Sequence, residues 1–142
     1  MNDFDKVSRF SSYLKFVQVQ PFEMCLMAVK KDGFAIKHIR WDEVNFSDQE
    51  RYKLYLEAVK ENGLILGAVD FNNLTRAQRY EICLEAVKQN GFSIFSIEWE
   101  EFYFTVEEKR TICLETVKQN KEIISYFNWD KININNEDKK II

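Results

Sequence analysis

One string of nine residues occurs four times in the chain, and it constrains the fold more than any other feature. It reads Cys25-Leu26-Met27-Ala28-Val29-Lys30-Lys31-Asp32-Gly33 in the first copy and Tyr55-Leu56-Glu57-Ala58-Val59-Lys60-Glu61-Asn62-Gly63 in the second. The third copy is Cys83-Leu84-Glu85-Ala86-Val87-Lys88-Gln89-Asn90-Gly91 and the fourth Cys113-Leu114-Glu115-Thr116-Val117-Lys118-Gln119-Asn120-Lys121, so successive copies are offset by 30, 28 and 30 residues. A repeat of this length is one supersecondary unit that cannot bury its apolar face alone, and such units fold by stacking on their neighbours.

The punctuation of each copy is helical. Ser47 with Glu50, Thr75 with Gln78 and Thr105 with Glu108 match the capping box, in which a hydroxyl and a carboxylate or amide satisfy the free N–H groups at a helix start. Apolar columns follow at three-to-four spacing, with Leu54, Ile82 and Ile112 in one and Val59, Val87 and Val117 in another. Glycine at the C′ position is expected to end each helix by taking the left-handed conformation. A shorter segment then carries Ile36, Leu66, Ile94 and Ile124, next Ile39, Val69, Ile97 and Phe127, and last the bulky Trp41, Phe71, Trp99 and Trp129. This spacing predicts a short second helix closed by an aromatic plug, although Phe92–Ile97 also alternates as a strand would. The expected fold is all-α, a short α-solenoid of stacked helical hairpins with a period of about 30 residues. Residues 1–142 form a single domain: an N-terminal half repeat or cap over 1–20, repeats at 21–46, 47–74, 75–104 and 105–134, and a tail over 135–142. In that tail Asn135-Asn136-Glu137-Asp138 resembles one more capping box.

Composition fits this picture. The 142 residues are 46% hydrophobic, enough for a core without disulfides or a metal. A net charge of −3 and a pI near 5.3 disfavour non-specific contact with a phosphate backbone. No apolar run approaches the roughly 20 residues of a membrane helix, the first residues lack a signal-peptide pattern, and an odd count of three cysteines suits a reducing compartment. The expectation is a cytoplasmic protein that does not enter membranes.

The run Glu81-Ile82-Cys83-Leu84-Glu85-Ala86-Val87-Lys88-Gln89-Asn90-Gly91 resembles a bacterial helical repeat of unknown function whose copies read close to EICLEAVKQNG. The resemblance extends over residues 13 to 129. The fourth copy departs from it at Thr116 and Lys121, and the connectors from Asp42 to Phe46 and from Glu100 to Phe104 are richer in aromatics and acids. What the resemblance implies is a helical-repeat interaction module with no catalytic residue.

The residues themselves point the same way. Cys25, Cys83 and Cys113 share one column, and equivalent positions of stacked hairpins lie roughly 10 Å apart, too far for a shared metal or a disulfide. They are expected in the core, as small hydrophobes. His38 is the sole histidine and has no nucleophile near it in the repeat frame. There is no phosphate-binding glycine loop and no cofactor motif, so the expectation is no enzyme, no metal and no cofactor. Lys30, Lys60, Lys88 and Lys118 recur once per repeat, with Glu57, Glu85 and Glu115 three residues before the last three. Such pairs are neighbours on one helix face, and a nucleic-acid-binding lysine ladder is the less favoured reading. The partner-binding candidates are Asp42, Glu43, Glu100, Glu101, Phe102 and Tyr103, aromatics framed by acids that suit a basic protein partner. The expected function is a noncatalytic protein-binding module or scaffold. The alternative is a small inhibitor or decoy of phage or mobile-element type that blocks a basic, nucleic-acid-handling protein.

Overall fold

The computed structural model describes residues 1–132, and among them every regular element is helical. The capping-box reading at Asn135 to Asp138 lies outside the described residues. Helix α1 (Asp3–Arg9) leads into a 3₁₀ helix, η1 (Ser11–Phe16), and the same order recurs along the chain: α2 (Phe22–Lys31) and η2 (Gly33–His38), α3 (Asp48–Glu61) and η3 (Gly63–Ala68), α4 (Arg76–Gln89) and η4 (Gly91–Ser96). A one-turn helix α5 (Trp99–Phe102) then precedes α6 (Val106–Gln119), η5 (Lys121–Tyr126) and α7 (Trp129–Ile132). The strand-like alternation of Phe92–Ile97 thus resolves as the 3₁₀ helix η4.

The predicted helix starts are present in full. In α3, α4 and α6 the hydroxyls of Ser47, Thr75 and Thr105 accept from the N–H of Glu50, Gln78 and Glu108, whose side chains accept in return from the cap N–H groups at 3.0, 3.0 and 2.9 Å.

The helix ends differ from expectation. No glycine among the described residues has a positive φ. Helices α2, α3, α4 and α6 end instead on Asp32, Asn62, Asn90 and Asn120, each in extended conformation. The side-chain oxygen of that residue accepts from the N–H two residues on, at 2.9, 3.1, 3.0 and 2.9 Å, and so starts the 3₁₀ helix. In the first two copies the glycine is required by the following repeat. A Cβ on Gly33 would lie 2.5 Å from the Ala58 carbonyl oxygen of α3, and one on Gly63 2.3 Å from that of Ala86 in α4. Lys121 replaces the glycine in the fourth copy without loss of the cap, because the turn never needed a left-handed residue.

The α-helices pack in the order α2, α3, α4, α6, and each of η2, η3 and η4 lies against both its own helix and the next. The core runs between these two sets of elements. Cys25, Cys83 and Cys113 are fully buried in one column with Tyr55, beside the Ala28, Ala58, Ala86 and Thr116 column. Thr116 satisfies its hydroxyl by donating to the Ile112 carbonyl at 2.9 Å. From the 3₁₀ side come Ala35, Ile65, Ser93 and Ile123, together with Ile36, Leu66 and Ile94. Ile39 and Ile97, the extended residues that close η2 and η4, are buried beside them.

Polar links tie neighbouring units together. Gln89 and Gln119 accept from the N–H groups of Gly63 and Gly91 at 2.6 and 2.7 Å, and Gln119 also donates to the Lys88 carbonyl at 2.8 Å. The Tyr52 hydroxyl donates to Glu81, and Arg76 pairs with Glu108 across the next interface.

Candidate interaction surface

The sequence-predicted residues fall in two separate connectors. Asp42 and Glu43 lie in the turn after η2 and are exposed. Glu43 is held at 2.7 Å by the Arg40 side chain, which also donates to the Lys15, Val17 and Gln18 carbonyls, so it braces a connector that is already occupied. Glu100 and Glu101 stand exposed in the first turn of α5.

The aromatic part of the prediction divides sharply. Phe102 is buried, which removes it from the set a partner can touch. Its ring packs 4.6 Å from Phe71 and 5.5 Å from Phe104, with the Arg79 guanidinium 5.5 Å over its face. Tyr103 is 79% exposed and sits in the left-handed region at φ 54°. That turn lets Phe102 and Phe104 both point inward while the ring between them points out.

The lysine ladder is in part locally paired. Lys88 and Lys118 lie 3.7 and 3.0 Å from Glu85 and Glu115, whereas Glu57 is taken by Lys53 at 3.0 Å. These exposed pairs contribute little to stability. His38 is half-buried in η2, and its carbonyl accepts from the Gln20 amide at 2.8 Å.

Burial fixes the chemistry of the thiols. Desolvation pushes Cys25 and Cys113 up from the ordinary value of 9.0 to about 12, and raises Cys83 as well. The thiolate is the reactive form, so Ellman's reagent at pH 8 is expected to label none of the three within minutes in the native protein and all three in denaturant. The raised values have a second consequence. The stabilisation is fully present below pH 9, where folded and unfolded thiols are both protonated, and is lost as the pH rises from 9 towards about 12. The melting temperature is expected to fall from pH 8 to pH 10, less steeply when the three cysteines are replaced by alanine.

A surface that the sequence reading did not single out lies on the 3₁₀ helices. Phe34, Leu64 and Phe92 occupy the first position after each glycine and are 48, 56 and 52% exposed. Phe95, one 3₁₀ turn beyond Phe92 and 6.5 Å from it, is equally exposed, and Tyr126 of η5 more so. Phe92, Phe95 and Tyr126 line an open groove of about 470 Å³ with Asn120, Glu122 and Ile123. The signal was present in the sequence as a Phe, Leu, Phe column directly after the glycines.

Among the described residues no cluster of three or more His, Cys, Asp or Glu side chains is placed to hold a metal, and no helix is long and apolar enough to cross a membrane. Comparison with known proteins gives no match to any family model, to any curated protein or to any solved structure.

Proposed function

We propose that the chain is a noncatalytic protein-binding module, a short α-solenoid with a period of about 30 residues whose layer of 3₁₀ helices is the binding face. The bacterial repeat that the Glu81–Gly91 string resembles is part of the same reading, as is a cytoplasmic location, which three free buried thiols suit. The observation that carries it is the exposed apolar column Phe34, Leu64, Phe92, continued by Phe95 and Tyr126. Single exposed hydrophobics are ordinary, but an aligned series of large ones is the mark of an interaction site. Tyr, Phe and Trp rings on rigid elements supply contact area at little entropic cost, which is why they dominate interface energetics.

The acidic connector supports a second reading. Glu100 and Glu101 stand beside Tyr103, and that combination fits a basic partner, including one that handles nucleic acid. Site-specific photocrosslinking separates the two. With benzoylphenylalanine in place of Leu64, ultraviolet irradiation in host extract is expected to give a discrete protein adduct, and in place of Tyr103 none. Adducts from position 103 alone move the interface to the connector. Adducts from neither position overturn the module.

A further inference from the structure

The ridge has an internal order that points to its occupant. In η1 to η5 the first outward position holds Ser12, Phe34, Leu64, Phe92 and Glu122 in turn. Three residues on, on the same face of each 3₁₀ helix, stand Lys15, Lys37, Gly67, Phe95 and Ser125. Along this face Lys15 and Lys37 therefore stand at one end and Glu122, beside Lys121, at the other, and exposed rings run the whole length from Phe16 to Tyr126. At the basic end the ammonium groups of Lys15 and Lys37 lie 5.1 Å over the rings of Phe16 and Phe34. In the middle row one position is empty of side chain. Gly67 is not needed there by the monomer, since its φ is not positive and a Cβ would meet nothing closer than the Ser96 hydroxyl at 3.5 Å. Gly33 and Gly63 are closed in by the backbone of the next unit and Gly91 by a methyl of Ile123, whereas nothing inside the chain crowds Gly67.

Resting on the reading of the 3₁₀ layer as the binding face, we propose that the face is covered by a second copy of this chain, related by a two-fold axis that runs along η3. A two-fold in that direction reverses the order of the rows. It sets Leu64 against Leu64 of the other copy and brings the two η3 backbones together at Gly67, where any side chain would hold them apart. It places Phe34 against Phe92 and Lys37 over the ring of Phe95, a cation–π contact made twice. At the ends Lys15 and Ser12 face the row of Ser125 and Glu122. The two-fold at right angles, along the ridge, would set each row against itself and crowd the Lys15 and Lys37 rows of both copies together, which charge repulsion disfavours. Five rows at roughly 10 Å each make a patch at the small end of stable interfaces, so the dimer dissociates in the micromolar range.

The test uses the full chain in solution. Light scattering and sedimentation are expected to give twice the chain mass of 17.0 kDa at concentrations of tens of micromolar, and a return towards the monomer on dilution. Gly67→Gln, placed in open space, is expected to melt no lower than the parent at a dilution where both are monomeric, while weakening dimerisation at least about tenfold. Leu64→Cys is expected to close a disulfide between copies under mild oxidation, since the three native thiols are buried, and Lys37→Cys is not. A monomer throughout the concentration range, or a dimer untouched by Gly67→Gln, overturns the second copy as occupant. Closure from Lys37→Cys rather than Leu64→Cys overturns the axis along η3. A strictly monomeric protein that still gives an adduct with a different protein from position 64 refutes this inference and leaves the binding module standing.

Discussion

Gly63→Ala is expected to lower the melting temperature by about 10 °C, a loss on the order of 3 kcal/mol for a domain of this size. The added methyl carbon would sit 2.3 Å from the Ala86 carbonyl oxygen, 2.9 Å from the Ser93 hydroxyl and 3.1 Å from the Gln89 amide oxygen. None of these is a free end that can swing away. The Ala86 carbonyl accepts from Asn90 at 2.8 Å at the end of α4, and Ser93 is buried in η4. The Gln89 oxygen is already engaged with the Gly63 N–H at 2.6 Å. Relief requires η3 to move off α4, which opens the core between two units and breaks that hydrogen bond. Two other glycines supply the controls. At Gly91 the nearest atom is the terminal methyl of Ile123 at 3.2 Å, which can rotate, so the alanine variant is expected within about 1 kcal/mol of the parent. At Gly67 there is open space within the chain, and at a dilution where the protein is monomeric alanine is expected to raise stability by a few tenths of a kcal/mol through the entropy of the unfolded chain. Thermal unfolding followed by circular dichroism ranks the three, and a Gly63→Ala variant melting within about 2 °C of the parent would mean that η3 and α4 are not clamped as described.

That glycine also shows which parts of the fold are legible in the sequence. The capping boxes at Ser47, Thr75 and Thr105 are local chemistry, complete within four residues, and the sequence displays them directly. The reason for the glycine at 63 lies in α4, more than twenty residues away, and no local pattern reveals it. Lys121 is the clue the sequence offers, because a left-handed conformation costs a lysine about 1 kcal/mol and the fourth copy carries one where the others have glycine. The second elements are legible as short helices, but their 3₁₀ character is not, because the columns at Ile36, Ile39 and Trp41 are spaced by three and then by two and follow no single helical period. The proposed binding face is half legible. The Phe34, Leu64, Phe92 column is visible in the repeats, but its exposure follows from the adjacent Ala35, Ile65, Ser93 column turning into the core. The acidic connectors stand out by composition, and composition does not say which of three consecutive aromatics turns inward.

At that connector, substitutions at neighbouring residues are expected to have opposite signs. Phe102→Ala removes a ring that is 4% exposed and packed against Phe71 and Phe104, a change that costs 3–5 kcal/mol in a well-packed core. Two smaller effects accompany it, because Arg79 lies over the ring and its buried Nε makes no hydrogen bond among the described residues. Opening the site lets water reach that nitrogen, while the cation–π contact, worth roughly 1 kcal/mol, is lost. These two effects nearly cancel, so the expected net loss stays on the order of 3 kcal/mol. Tyr103→Gly works on the other side of the balance. The ring is exposed and contributes little burial, whereas a left-handed backbone costs a residue with a Cβ about 1 kcal/mol that glycine does not incur. Glycine is expected to leave the melting temperature unchanged or raise it by a few degrees, because its greater freedom in the unfolded chain consumes part of the gain. Denaturant titration of both variants reads the difference. Equal losses at the two positions would show that Tyr103 is packed and that the left-handed turn does not part the two buried rings from the exposed one. Unequal losses in the expected order make Tyr103, with Glu100 and Glu101, the part of this connector that remains open to a partner, while Phe102 belongs to the core that holds it in place.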